Sequence, residues 1–290
     1  MQLRPRRAAD IHIDFRAMGT DVEAWCPDET AGQELRRWFE CVEQVCSRFR
    51  DDSELSRLNR STGRVVELSE TLAEVIGAAD RARGLTGGLV DIGVGAGVAD
   101  WGYDRTFELV TSLDRAPSRS PAPEWSLDSR TLTRSPGTLV DLGGIAKGWA
   151  CDQAVEKGMA TVVSAGGDIR SIDSRTTVPI LDPWGAVAAR IALGSGGLAT
   201  SSIARRRWLV GTREVSHLID PRTMAPAQTP ILCASVVAPS AVEAEIGAKA
   251  VLMHGENGLA WAAEAAWIDS AVVIWHDGSV YATPGTVLAA

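Results

Sequence analysis

Eight residues, Asp141-Leu142-Gly143-Gly144-Ile145-Ala146-Lys147-Gly148, constrain this chain more than any other stretch. The apolar run Thr138-Leu139-Val140 precedes them and reads as a strand. The residues that follow, from Ala150 to Gly158, read as a helix with a glycine stop. The sequence therefore demands a strand, a tight glycine turn and a helix start in immediate succession. A glycine pair lets backbone approach a ligand closely, and free N–H groups at a helix start favour an anion. Lys147 adds a cation and Asp141 a carboxylate. This combination suits a phosphate or pyrophosphate, with or without a metal ion.

Two familiar nucleotide patterns are excluded. The segment lacks the GxxxxGK[ST] spacing of a phosphate-binding loop. The stretch Asp91-Ile92-Gly93-Val94-Gly95-Ala96-Gly97-Val98 has valine where a dinucleotide fingerprint needs its third glycine.

The remaining pattern mixes helices and hairpins without βαβ alternation, which defines an α+β protein. Thr30 to Phe49 and Ser69 to Arg83 read as amphipathic helices, the second capped by Ser69. Asp51 to Asn59 reads as a polar turn. Ser240 with Glu243 forms a capping box for a helix running to His254, stopped by Gly255. Leu259 to Trp267 reads as a further helix. His276-Asp277-Gly278 marks a hairpin between two apolar runs. Residues 1–13, with Arg4, Arg6 and Arg7, read as a disordered tail. Residues 14–290 read as one domain, with 112–137, rich in Pro, Ser and Arg, as a surface excursion.

A chain of 290 residues with 45% hydrophobic content buries a substantial core. Its net charge of −8 argues against nucleic acid as a partner. The absence of a long apolar run argues against stable membrane insertion. No signal-peptide core follows the basic start, so the expected location is cytoplasmic. Five irregularly spaced cysteines fit free thiols better than a disulfide framework or a zinc site.

Glu245 and Lys249 lie four residues apart on one helix face. They form an ion pair worth ~0.3–0.5 kcal/mol on one reading, and on another Glu245 is a metal ligand. His217 precedes an Asp-Pro turn, at the edge of a site or within a core. Arg205-Arg206-Arg207 forms a solvated loop or meets a phosphate.

Seven segments, taken in order, resemble one family. They are Met18-Gly19-Thr20, Asp52 to Asn59, Gly87-Gly88-Leu89-Val90-Asp91, Asp141 to Gly148, Ala165-Gly166-Gly167-Asp168-Ile169, Leu198-Ala199-Thr200-Ser201-Ser202 and His217-Leu218-Ile219-Asp220-Pro221-Arg222-Thr223. The likeness to the ApbE family of FAD:protein FMN transferases spans about residues 14–285. It implies a T-fold-like α+β architecture with mixed sheets and peripheral helices. It also implies Mg²⁺-dependent transfer of FMN from FAD to a Thr or Ser hydroxyl of a partner flavoprotein through a phosphoester, with release of AMP.

Carried over residue by residue, the resemblance assigns FAD contacts to Met18, Phe49, Leu89, Val90, Asp91, Asp141, Lys147 and His217. Lys147 neutralises transition-state charge, and His217 or Asp220 takes the hydroxyl proton. Magnesium is assigned to the Gly144 carbonyl, to Glu245 and to the position of Lys249, where the family has threonine. Glutamate can ligate magnesium. Lysine cannot, and its ammonium suits the pyrophosphate instead. Two alternatives share these residues: an FAD pyrophosphatase yielding FMN and AMP, and a non-catalytic FAD-binding protein.

Overall fold

The computed structural model describes residues 10–117 and 124–287. The chain forms two compact units. Unit 1 comprises residues up to Cys41, Lys147–Ser202 and Thr229 onward, and unit 2 comprises Val42–Ala146 and Ile203–Gln228. The chain leaves and re-enters each unit, a division that no composition shift marks.

Unit 1 is built on an eight-stranded sheet. Its spatial order is Ile11–Ala17, Thr20–Cys26, Val162–Ala165, Asp168–Ser171, Gly196–Ser202, Ile231–Ala238, Ser270–Trp275 and Val280–Ala282. Neighbouring strands are antiparallel throughout. The α+β class is as expected. Among the described residues, parallel contact is confined to isolated bridges such as Val94 with Leu139. One face of the sheet carries Val162, Ile169, Leu198 and Val272, packed against Val178, Ile180, Ile191 and Leu193 of a separate hairpin.

The helix Ala241–His254 packs on the strands Gly196–Ser202 and Ile231–Ala238. From Ala244 to Met253 every residue except Lys249 is buried. A helix apolar on nearly all sides belongs inside a core. Its start is doubly capped. Ser240 Oγ accepts from the Glu243 N–H at 3.1 Å and donates to Glu243 Oε2 at 3.0 Å. Asp152, from the helix Ala146–Glu156, accepts from the Ala241 and Val242 N–H groups at 2.8 and 3.0 Å. A carboxylate at a helix N-terminus is favourable because it meets unsatisfied N–H groups.

Unit 2 holds the helices Glu54–Arg60 and Glu70–Leu85, the short helix Gly95–Asp100, and the sheet ordered Val65–Glu67, Thr131–Arg134, Trp125–Asp128. Its hinge of buried polarity is Arg134. The guanidinium donates to the carbonyls of Leu58 (2.7 Å), Ser61 (2.8 Å) and Thr138 (3.1 Å), and to Ser61 Oγ.

Several boundaries differ from the sequence reading. Asp51 to Asn59, taken as a turn, contains the helix Glu54–Arg60, because Ser53 Oγ caps the Ser56 N–H at 2.9 Å and Leu55 and Leu58 face the core. The strand Ile11–Ala17 begins inside the span 1–13 assigned to the tail, since pairing with Thr20–Cys26 satisfies its backbone; Arg4, Arg6 and Arg7 lie outside the described residues. The helix expected from Ala150 starts at Ala146. Within the 112–137 excursion, Trp125–Asp128 and Thr131–Arg134 form a hairpin that buries Trp125, Leu132 and Arg134. Residues 118–123 of that excursion lie outside the described residues.

All five cysteines are free, and all but Cys41 are buried. Burial pushes the Cys46 thiol up to about 12 and the Cys26 thiol up to about 11. Brief treatment of the native protein with a maleimide at neutral pH is expected to label Cys41 alone, read by peptide mass spectrometry. Labelling of Cys46 at a comparable rate would contradict its burial. Replacing Arg134 by methionine removes the donors of several buried carbonyls. It is expected to destabilise unit 2 by roughly 2–4 kcal/mol, measured by urea unfolding.

Candidate functional site

A turn of two glycines sets the first site residue. Gly166 (φ +62°) and Gly167 (φ +101°) join the strands Val162–Ala165 and Asp168–Ser171, with Ala165 opposite Asp168. A two-residue loop with both central residues at positive φ matches the strand twist, and glycine adopts it without strain. The turn delivers the Asp168 side chain, 3% exposed, into the interior of unit 1.

The helix Ala146–Glu156 delivers the second residue and the helix Ala241–His254 the third and fourth. Lys147 Nζ lies 2.6 Å from Asp168 Oδ2 and 3.1 Å from Glu245 Oε1. Lys249 Nζ lies 3.1 Å from the same Glu245 Oε1. Glu245 Oε2 accepts from the Gly148 N–H at 3.1 Å. Two ammonium groups and two carboxylates thus form a buried cluster of zero formal charge, with Glu245 only 1% exposed.

Glycine is required beside this cluster by distance. A Cβ on Gly148 would meet Glu245 Oε2 at 2.9 Å and the Ala241 carbonyl oxygen at 3.0 Å.

The two carboxyl groups move in opposite directions. Burial, and then the negative charge of Glu245, push Asp168 up to about 6, against the pull of Lys147 and Lys249. Burial also opposes ionisation of Glu245, yet the two lysines outweigh it and hold its carboxyl below the usual range. The physical reason is the donor count: Glu245 has two ammonium groups and a backbone N–H, whereas Asp168 has one ammonium. Burial alone would lower Lys147, but Asp168 and Glu245 hold it above the ordinary lysine value. Glu245 thus holds its negative charge more firmly than Asp168, and Lys147 is held in its charged form.

Among the described residues no three His, Cys, Asp or Glu side chains converge to hold a metal ion. Glu245, the residue assigned to magnesium, already meets three donors, and Lys249 brings no lone pair. A further cation about 4 Å from each ammonium would be repelled by ~4 kcal/mol per unit charge at an effective dielectric of ~20. The donor set at Glu245 and Lys249 does not fit a divalent cation. Gly144, assigned to offer its carbonyl to that cation, lies in the turn before Ala146.

Unit 2 assembles a second group of residues. Asp141 receives Arg48 Nε on Oδ2 at 2.8 Å and the Gly143 N–H on Oδ1 at 2.7 Å. The side chain of Asn59 bonds both the N–H and the carbonyl of Val140 at 2.8 Å, pinning the chain just before Asp141. The Arg48 guanidinium lies 4.1 Å over the Phe49 ring and 4.6 Å over Tyr103. His217 meets Tyr103 edge-on with ring centroids 6.2 Å apart. Phe49 is 39% exposed, so this aromatic and cationic group reaches the surface of unit 2.

Other assigned residues have structural work of their own. Asp91 Oδ1 accepts from the Gly93 N–H and from Trp125 Nε1, both at 2.7 Å. Leu89 is buried and Val90 half-buried. Met18 sits at φ +52° in the two-residue turn before Thr20, a conformation costing of order 1–3 kcal/mol for a non-glycine residue. Asp220 is clamped by Arg222, with Nη2 at 2.7 Å from Oδ2 and Nε at 2.9 Å from Oδ1. Sequence reasoning missed Asp168, Arg48 and Tyr103 as site residues. Only Asp168 had a signal, a carboxylate directly after a glycine pair within an apolar strand.

The antiparallel α+β fold thus carries a cluster of two lysines and two carboxylates at its helix–sheet packing. The sequence model of the ApbE family matches residues 18–271. A protein of Haemophilus influenzae named FAD:protein FMN transferase is 29% identical over 85% of this chain and 81% of its own length. One of Vibrio cholerae with the same name is 27% identical over 93% and 89%. The solved flavin transferase ApbE from Vibrio cholerae matches with a TM-score of 0.77 at 28% identity, covering 95% of this chain and 97% of that one. The ApbE protein of Thermotoga maritima matches in fold with a TM-score of 0.81 at 24% identity. This chain belongs to the ApbE family.

Replacing Gly148 by alanine is expected to displace the Glu245 carboxylate and destabilise unit 1 by roughly 1–3 kcal/mol, as overpacked sites do. Denaturant unfolding of the variant beside the unaltered protein checks this. An unchanged midpoint would mean that the helices Ala146–Glu156 and Ala241–His254 separate without strain.

Proposed function

We propose that this chain transfers FMN from FAD to a threonine or serine hydroxyl of a partner flavoprotein. The observation that supports this most is family membership over residues 18–271, together with relatives named FAD:protein FMN transferase. The cluster of Lys147, Asp168, Glu245 and Lys249 adds a physical reason, because it offers a preorganised pair of ammonium groups for a diphosphate.

In this reaction the acceptor oxygen forms a bond to the FMN-side phosphorus of FAD. The bond from that phosphorus to the bridging oxygen breaks, and AMP leaves with the bridging oxygen. The hydroxyl proton goes to a base, for which His217 and Asp220 are the candidates. Phosphoryl transfer needs little covalent help from the protein, so positioning and charge neutralisation carry most of the rate. Lys147 and Lys249 are assigned to the phosphate charge. Phe49, Tyr103 and His217 are assigned to the flat flavin ring, and Met18, Leu89, Val90 and Asp91 to further FAD contacts.

The resemblance also implies magnesium. The donor set of Glu245 and Lys249 does not fit it, and no step here is routed through a metal.

The test uses the purified full chain, FAD, and an acceptor protein domain bearing an exposed threonine, with and without Mg²⁺. AMP release together with an FMN-sized mass increase on the acceptor is the expected outcome, and a Lys147→Met variant should lose at least about 100-fold in rate. AMP without an adduct would make the protein an FAD pyrophosphatase. FAD binding with neither product would make it a binding protein.

A further inference from the structure

We propose that in this chain the ammonium of Lys249, rather than a divalent cation, is the counter-charge beside Glu245 for the diphosphate of FAD. The inference rests on the flavin-transferase reading for the identity of the ligand, and on the geometry of unit 1 for everything else.

Glu245 is the carboxylate that a cation would need. Its Oε1 is shared by Lys147 and Lys249, each at 3.1 Å, and its Oε2 accepts from the Gly148 N–H at 3.1 Å. A divalent cation at Glu245 would share its two oxygens with these three donors and would stand beside two ammonium groups that repel it. The helix Ala241–His254 is buried on both sides of Lys249, so its side chain has little freedom to swing away. The second carboxylate, Asp168, gives its Oδ2 to Lys147 at 2.6 Å, which places an ammonium group beside it as well.

The same arrangement suits an anion. An ammonium has three donors. Lys147 spends two on Asp168 and Glu245. Lys249 bonds Glu245 Oε1 and reaches its backbone carbonyl at 3.5 Å. Each retains a donor, and the side chains of Lys147 and Lys249 are 18% and 14% exposed, enough for contact with a ligand. The carboxylates hold both ammonium groups in fixed positions, which is preorganisation.

Two measurements on the full-length protein decide the matter. In the first, Mn²⁺ is titrated in the absence of FAD and free Mn²⁺ is followed by electron paramagnetic resonance, for the unaltered protein and for Glu245→Gln. The expected result is no site tighter than on the order of 1 mM that depends on Glu245. A tighter site that disappears in Glu245→Gln overturns the proposal. In the second, FAD affinity is measured by flavin fluorescence in EDTA and in Mg²⁺. The expected change between the two is less than about twofold, with Lys249→Met weakening binding about tenfold in both and Lys249→Arg recovering most of it. Tightening by Mg²⁺ of more than about tenfold in the unaltered protein overturns the proposal. Thermal melts establish that each variant is folded, and the Mn²⁺ titration of the unaltered protein needs no variant at all. Because the Mn²⁺ result does not depend on AMP release, a protein that never releases AMP would defeat the transferase reading while leaving this result to stand by itself.

Discussion

Glu245 lies on a helix buried on nearly every side, and a carboxylate there persists only because two lysines and a backbone N–H meet it. Removing one partner from such a group leaves an uncompensated buried charge, a loss of roughly 3–5 kcal/mol. Much of the architecture of unit 1 follows from that requirement. The helix Ala146–Glu156 must approach closely enough to bring Lys147 and the Gly148 N–H to the carboxylate, which excludes a side chain at position 148. Asp152 of the same helix then reaches the start of the helix Ala241–His254 and caps it. One pair of helices is thereby held together by a charge cluster near one turn and a cap one turn later.

The sheet supplies the remaining member. Asp168 occupies the first position after a glycine pair, at the point where the antiparallel hairpin reverses. Its carboxyl is buried and rises to about 6, whereas that of Glu245 falls below its usual range. Two carboxylates within reach of one lysine do not share it equally. The second lysine breaks the tie in favour of Glu245. A cluster arranged like this fixes two ammonium groups around one carboxylate.

Unit 2 reaches a related end by different means. Its charged pair, Arg48 with Asp141, lies against the rings of Phe49 and Tyr103. The guanidinium is planar and weakly hydrated, so it stacks on Phe49 and Tyr103 while its Nε keeps the carboxylate. Asn59 and the Gly143 N–H hold the Asp141 segment in place, and Arg134 gathers the carbonyls behind it. A rigid segment ending in an aromatic and cationic surface is what a flat, polar-edged ligand requires.

Local order in the chain was legible from residue patterns alone. The capped helices at Ser69 and Ser240 and the hairpin at Gly278 were readable because caps and turns are decided within a few residues. The helix Glu54–Arg60 was misread as a turn because its polar face is continuous and its two buried leucines are easily overlooked. The Asp141–Gly148 motif announced a site and named Lys147. It could not say that Lys147 would meet Asp168, 21 residues onward, or Glu245, 98 residues onward. The four-residue spacing of Glu245 and Lys249 leaves an ion pair and a metal ligand both open, and the structure forms the ion pair, buried and shared with Lys147. The amino-acid sequence by itself determined the elements, the class and the family likeness, because these depend on short-range periodicity and on ordered motifs. Which charges face one another, and whether a carboxylate is left open to a cation, was decided only by the packing of helix on sheet, since electrostatic partnership depends on distance in space and on burial, neither of which sequence separation records.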